Sequence, residues 1–166
     1  MTKSDHIFLS GGCLCGGVRY QLTGACRDII NCHCENCRRT HGHIAAYTSV
    51  ARSDLVLVNQ QTLQWYHDKS PDAYRGFCNR CGASLFWDAR DDRDKVAVSA
   101  GSLDDSGKLK TIGHVYVSEA ARYYQINDEL PRFETSNSGA LESDESSCCL
   151  LYTSDAADDS SVVEIA

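Results

Sequence analysis

The sequence predicts a single all-β domain of coiled, antiparallel sheets, followed by a disordered C-terminal tail. Short runs rich in branched and aromatic residues recur along the chain, separated by turns of Gly, Asn, Asp and Ser. No segment carries a sustained helical stripe of apolar residues. Three tight clusters of cysteines indicate how such a small sheet domain is held together.

The predicted strands follow one another at short spacings over residues 18–118. They are VRYQLTG, HIAAYTSV, DLVLVNQ, TLQWYH, AYRGF, ASLFW, KVAVSA and HVYVS. Neither of the two prolines interrupts these runs. The segment SEAARYYQI, residues 118–126, comes nearest to a helical pattern. Because the chain shows neither a tandem repeat nor a second domain, we place one domain at residues 8–134.

From about Thr135 onward the composition changes to Ser, Asp, Glu, Ala and Gly, with few large apolar residues. That composition is typical of disorder, so we predict a disordered tail over residues 135–166. Its segment CLLYTSDAAD, residues 149–158, resembles the conceptual translation of a transposase-type sequencing adapter. We interpret the tail as in part a translated adapter artefact, which excludes Cys148 and Cys149 as metal ligands.

The formal net charge of −7 comes from the tail and not from the domain. All 16 Lys and Arg residues and 16 of the 23 Asp and Glu residues lie before residue 135. A domain without net charge has no electrostatic reason to bind nucleic acid. No apolar run approaches the roughly 20 residues of a membrane span, and MTKSDHIFLSGG lacks the apolar segment of a signal peptide. We therefore expect a cytoplasmic protein with neither nucleic-acid nor membrane partners.

Ten cysteines in a chain expected in a reducing compartment indicate metal ligands and not disulfides. Cys78 and Cys81, followed by glycine, have the form of a zinc knuckle, although a redox dithiol is an alternative. Cys13 and Cys15, flanked by glycines, can supply two further ligands. These four residues predict a closed four-sulfur site that holds the N-terminal strand against the middle of the chain. Cys26 stands apart and is expected to be a small buried side chain.

The stretch NCHCENCRR contains Cys32, Cys34 and Cys37 and is one ligand short of a tetrahedral zinc site. His41 or His43 could close it as an inert structural site. Alternatively, a substrate thiol could occupy the fourth position, and we favour this second hypothesis. Two zinc ions per chain are therefore predicted.

The segments GGCLCGGVRY, CHCENCRRTHG, YRGFCNRCGASLFW, VSAGSLDD and HVYVSEAARYYQINDELPRFE carry a joint pattern. Together they resemble the glutathione-dependent formaldehyde-activating enzyme / centromere protein V family over about residues 8–134. The resemblance implies an all-β zinc fold of the β-tent type. It also implies a structural zinc and a second, catalytic zinc, held respectively by Cys13, Cys15, Cys78 and Cys81 and by Cys32, Cys34 and Cys37.

Three thiolates leave a divalent zinc with a net charge of about −1, which makes it a poor activator of water. Such a soft, sulfur-rich site instead suits exchange with an incoming thiol. The activity that the resemblance implies agrees: a carbon–sulfur lyase, S-hydroxymethylglutathione synthase-like, that adds glutathione to formaldehyde or a related small aldehyde. Arg38 and Arg39 are candidate contacts for the glutathione carboxylates. The rival hypothesis is a thiol carrier or a structural zinc module that binds another protein without turnover.

Overall fold

The computed structural model of the chain describes residues 9–105 and 107–141. Their strands form two sheets. The smaller sheet has the order β1-β2-β5 and contains β1 (Leu9–Gly12), β2 (Arg19–Leu22) and β5 (Leu55–Asn59). The larger sheet has the order β10-β3-β4-β9-β8-β7-β6 and contains β3 (Ile29–Cys32), β4 (Ala45–Ala51), β6 (Leu63–Lys69), β7 (Asp72–Cys78), β8 (Ser84–Ala89), β9 (Lys95–Ser99) and β10 (Thr111–Val115).

The helical segments are short. One α-helix, α1 (Glu35–His41), lies between β3 and β4 in the described residues, and 3₁₀ turns span Arg52–Asp54, Ala100–Ser102 and Val117–Glu119. Only the start of the SEAARYYQI segment is therefore helical. None of the helices found between residues 9 and 141 is long and apolar enough to cross a membrane.

The prediction of an all-β domain is confirmed, and each of the eight predicted runs overlaps a strand. The sequence did not indicate β1, β3 or α1, which are only four to seven residues long. Strand pairs are antiparallel as expected except for β3 and β10, which pair in parallel. A parallel pair needs a long crossover, and the chain between these two strands, which includes six other strands of both sheets, supplies it.

The two faces of the larger sheet have different neighbours. Because successive side chains on a strand point to opposite faces, adjacent residues identify the two sides. Phe86 and Val98 belong to the main hydrophobic core with Tyr20 of the smaller sheet. Trp87 and Ala97, one residue away on the same strands, pack instead around a second cluster that includes cysteines next to α1. The larger sheet therefore separates the main core from the α1 side.

The described part of the chain after β10 returns along that strand. The His114 N–H donates to the Pro131 carbonyl at 2.9 Å, and the Phe133 N–H donates to the His114 carbonyl at 2.9 Å. Leu141 is buried and packs against Val115. Residues 135–141, which composition places in the tail, thus contact the domain. The remainder of the predicted tail, including the adapter-like segment, lies outside the described residues.

We expect truncation of Phe86 to open a cavity between the two sheets. Its side chain is 2% exposed, and its ring meets that of Tyr20 edge-on at 5.2 Å. The Phe86→Ala variant should lose about 3–5 kcal/mol of unfolding free energy, measured by denaturant unfolding of the zinc-loaded protein. Val58→Ala on β5 is the control, since Val58 is 61% exposed, and should change stability by less than about 0.5 kcal/mol. Equal losses in both variants would contradict this core.

Candidate metal centres

Seven cysteines gather into two groups that could each hold a metal ion. Within each group all Sγ atoms lie within 4.8 Å of one another, and all seven residues are free thiols. The four-thiol group consists of Cys13, Cys15, Cys78 and Cys81, and the three-thiol group of Cys32, Cys34 and Cys37. These are the same groups of four and three cysteines that the sequence analysis proposes.

Two tight turns bring the four-thiol group together. Cys13 and Cys15 follow β1 in a turn that closes through the Gly16 N–H and the Cys13 carbonyl, and Gly16 has φ +77°. Cys78 ends β7, and its carbonyl accepts the Gly82 N–H at 2.8 Å. The Cys15 sulfur lies 3.6 Å from the sulfurs of both Cys13 and Cys78. Tetrahedral zinc with bonds of about 2.3 Å needs sulfurs about 3.8 Å apart, so the group fits this ion.

Hydrogen-bond donors surround the buried sulfurs of the four-thiol group. The Val18 N–H donates to the Cys13 sulfur at 3.2 Å, and the Thr62 hydroxyl lies 3.1 Å from the Cys78 sulfur. Burial by itself raises the pKa of Cys78, but Thr62 and the backbone N–H groups of the knuckle outweigh it and lower that pKa to about 6. These donors favour the thiolate, which is the form that binds metal.

Helix α1 organises the three-thiol group. Cys32 ends β3, and Cys34 is the N-cap of α1, where its sulfur accepts the Cys37 N–H at 3.4 Å. Cys34 and Cys37 are three residues apart, so one turn of helix brings their side chains to the same side. The helix ends at Gly42, which has φ +79° and donates its N–H to the Arg38 carbonyl.

The thiols of this group are strongly coupled. Hydrogen bonds from Cys32 and Cys37 lower the pKa of Cys34 to about 2, whereas the same contacts raise the pKa of Cys32. These contacts favour the thiolate form of Cys34, at the N-terminal end of α1. Cys37 is buried, while Cys32 and Cys34 are half-buried, so the group is accessible from one side.

Arg75 is a residue of this site that the sequence analysis missed. It lies in β7, is 6% exposed, and donates from Nε to the Asp68 carboxylate at 3.0 Å. Burial lowers the pKa of Arg75, but the hydrogen bond to Asp68 and the charge of Cys37 raise it above its ordinary value. A signal was present in AYRGF, since Arg75 alternates with the apolar residues Ala73 and Phe77 on one face of the predicted strand. A charged residue at a buried strand position needs a partner.

His33 lies between Cys32 and Cys34 in the sequence, is fully buried, and directs its ring away from the thiols. Its Nδ1 lies 2.6 Å from the Tyr124 hydroxyl, and its Nε2 lies 2.9 Å from His114 Nδ1. His114 Nε2 in turn lies 3.0 Å from the Asp128 carboxylate. Because a carboxylate only accepts, the donors run from His114 to Asp128, from His33 to His114, and from Tyr124 to His33. Burial and the charge of His114 lower the pKa of His33 to about 4, so the imidazole of His33 is neutral in this series of hydrogen bonds.

Neither His41 nor His43 belongs to the three-thiol group of the described residues. His41 Nε2 lies 2.6 Å from the Tyr47 hydroxyl, and His43 Nδ1 lies 2.8 Å from the Tyr123 hydroxyl. Burial lowers the pKa of His41 to about 4. Both histidines thus have tyrosine partners, and three sulfurs remain as the side-chain ligands that this part of the chain brings together.

The two arginines after Cys37 have different environments. Arg39 is exposed and forms an ion pair with Glu35 one helical turn away, at 2.8 Å. Arg38 is half-buried, and its Nε is buried without a hydrogen-bond partner among residues 9–105 and 107–141. Burial raises the pKa of Tyr124, and the charge of Arg38 lowers that pKa while the charge of Cys32 raises it. Of these two arginines, Arg38 is therefore the one with an unpartnered donor.

A crystal structure of a Rhodobacter sphaeroides protein resembles this chain in fold. The TM-score is 0.50 at 24% sequence identity, and the match covers 75% of this chain and 99% of that chain. The sequence model described as glutathione-dependent formaldehyde-activating enzyme matches residues 8–119. The matched range includes both thiol groups as well as Arg38, Arg39 and Arg75. The chain therefore belongs to the glutathione-dependent formaldehyde-activating enzyme family.

Proposed function

We propose that the chain is a zinc-dependent carbon–sulfur lyase that adds glutathione to formaldehyde or a related small aldehyde, giving S-hydroxymethylglutathione. Membership of the family supports glutathione and formaldehyde as the substrate class. The observation that carries the proposal is the three-thiol group, in which three sulfurs converge while His41 and His43 bind tyrosines. A tetrahedral ion held there has one position for a ligand from outside.

The proposal assigns one zinc ion to each thiol group. The four-thiol group supplies a complete tetrahedron, so its ion has a structural role. The three-thiol group holds the second ion through Cys32, Cys34 and Cys37. When bound there, zinc would supply a soft cation that favours the thiolate form of an incoming thiol.

The reaction is an addition that balances without any oxidant or reductant. The glutathione thiol loses its proton, and a sulfur electron pair forms a bond to the carbonyl carbon of formaldehyde. The carbonyl π pair moves to oxygen, which takes up a proton. Because formaldehyde is small and electrophilic, the contribution of the chain is to bind and orient the thiol. The proposal assigns a glutathione carboxylate to the guanidinium of Arg38, whose Nε has no hydrogen-bond partner among the described residues.

We expect about two zinc ions per chain, measured by elemental analysis of protein purified without chelators. Cys34→Ala should lower the zinc content to about one ion per chain, because the two sulfurs that remain, of Cys32 and Cys37, are too few to hold the second ion. Cys78→Ser should remove the other ion and destabilise the fold. Cys26→Ala is the control and should keep both ions, since Cys26 is buried in the main core outside both groups. A wild-type content of one, unchanged in Cys34→Ala, would rule out the second site.

Glutathione should be consumed in the presence of formaldehyde faster than in the spontaneous reaction. The Cys34→Ala variant should return the rate to the spontaneous value, whereas Cys26→Ala should leave the catalysed rate unchanged. Formation of the hemithioacetal can be followed directly by NMR with labelled formaldehyde. If glutathione binds but its addition proceeds at the uncatalysed rate, the chain is a thiol carrier and the proposed activity is wrong.

Arg38 and Arg39 should differ in their effect on glutathione binding. A charge-assisted hydrogen bond contributes about 1.5–3 kcal/mol, so Arg38→Gln should raise KM for glutathione about tenfold or more. Its kcat should change little, because the contact is remote from the sulfur. Arg39→Gln is the matched control and should change KM by less than about twofold, since exposed ion pairs contribute little. Equal effects of the two substitutions in steady-state kinetics would remove Arg38 from the binding site.

A further inference from the structure

Arg75 is paired in an unusual way for a buried arginine. The exposed pair of Arg52 and Asp88 is bidentate, with Nη1 and Nη2 donating to the two carboxylate oxygens at 2.8 and 2.5 Å. Arg75 instead binds Asp68 through Nε, at 3.0 Å. Its Nη1 is buried without a hydrogen-bond partner in the part of the chain that the structure describes. A buried donor left unpaired is costly, so a purely structural ion pair does not account for this arrangement.

The unpaired end of Arg75 belongs to the three-thiol side of the larger sheet. On β7, Arg75 and Cys78 are three positions apart, so their side chains point to opposite faces. Cys78 lies in the main core, whereas Cys37 and Tyr47 pack on the other side. In the register of β7 with β8, Arg75 lies opposite Trp87, which packs against the cluster of Cys37 and Tyr47. Its Nε binds Asp68, which leaves the Nη end for the thiols.

Charge balance explains why a cation would be needed there. Three thiolates on a divalent ion carry a net charge of about −1, and a thiolate as fourth ligand makes it about −2. Concentrating negative charge in a half-buried site is unfavourable. A fixed guanidinium offsets that charge. It therefore stabilises an anionic fourth ligand much more than a neutral one. Asp68 binds the guanidinium at Nε, and Nη1 is not engaged by that carboxylate.

We propose that Arg75 is a positioning residue that serves as the fixed counter-cation of the three-thiol group and makes its fourth position selective for anionic ligands, thiolates in particular. The choice of a thiolate rests on the proposed function. The charge balance between Arg75 and the three-thiol group is independent of the proposed function.

The test uses the cobalt-loaded full chain, whose visible absorption reports ligands entering the three-thiol group. The probes are 2-mercaptoethanol, which binds as a thiolate and lacks carboxylates, and imidazole, which binds as a neutral ligand. The double variant Asp68→Asn/Arg75→Gln removes both charges together and leaves no unpaired buried ion. We expect its affinity for 2-mercaptoethanol to fall about 10- to 100-fold, as is typical of residues behind metal ligands. Its affinity for imidazole should change by less than about twofold.

Two further variants and one internal control sharpen the result. Arg75→Lys keeps the positive charge and should retain the preference for the thiol to within about threefold. It decides the matter if the double variant does not fold. Arg52→Gln removes an exposed arginine and should change neither affinity. Cobalt in the four-thiol group should resist a competing chelator equally well in all variants.

Three outcomes would overturn the proposal: equal weakening of both probes, no weakening of either, or loss of the thiol preference in Arg75→Lys. The first would mark Arg75 as a structural residue only. If the probes separate as expected but glutathione and formaldehyde show no catalysed addition, the proposed function fails while the role of Arg75 stands. If addition is catalysed but the probes do not separate, only the role of Arg75 fails.

Discussion

The junction between the two sheets is the constraint on which the rest of the structure depends. The smaller sheet has strands of only four or five residues, too short to be stable alone. Its apolar face packs on the larger sheet, and the four-thiol group lies at the edge of that contact. Cys15 and Cys78 meet although they are 63 positions apart in the chain. A metal ion bound by this group would stabilise the fold, because the four sulfurs converge in the folded chain and not in the unfolded one.

Strand β7 links that junction to the three-thiol group. Its last residue, Cys78, belongs to the four-thiol group on one face, and Arg75 lies beside the three-thiol group on the other. The position of the guanidinium thus depends on a strand whose end is fixed by the first group. The two groups therefore share a structural element while having different chemical environments. One is enclosed by backbone and hydroxyl donors, and the other is half-buried beside a cation.

Local patterns in the sequence are sufficient for eight of the ten described strands and for the clusters of neighbouring cysteines, because both depend on residues close together in the chain. The remaining features depend on contacts between distant residues. Helix α1 has seven residues and a cysteine as its N-cap, so it has neither a periodic stripe nor a common capping signal. His33 finds its partners 81 and 91 positions away. The parallel pairing of β3 with β10 is likewise invisible to any local pattern.

The histidines near the three-thiol group bear on the proposal that a ligand from outside completes the coordination of a metal ion there. To bind a metal there, His41 would have to leave the Tyr47 hydroxyl, which is buried and would lose its partner. An unsatisfied buried hydroxyl costs about 1–3 kcal/mol. His43 is exposed, and its Nδ1 lies 2.8 Å from the Tyr123 hydroxyl. The chain thus commits its nearby imidazoles elsewhere and keeps a permanent cation beside the sulfurs. Both features support the proposal that an anionic sulfur ligand from outside, and not a neutral imidazole, completes a metal site at the three sulfurs.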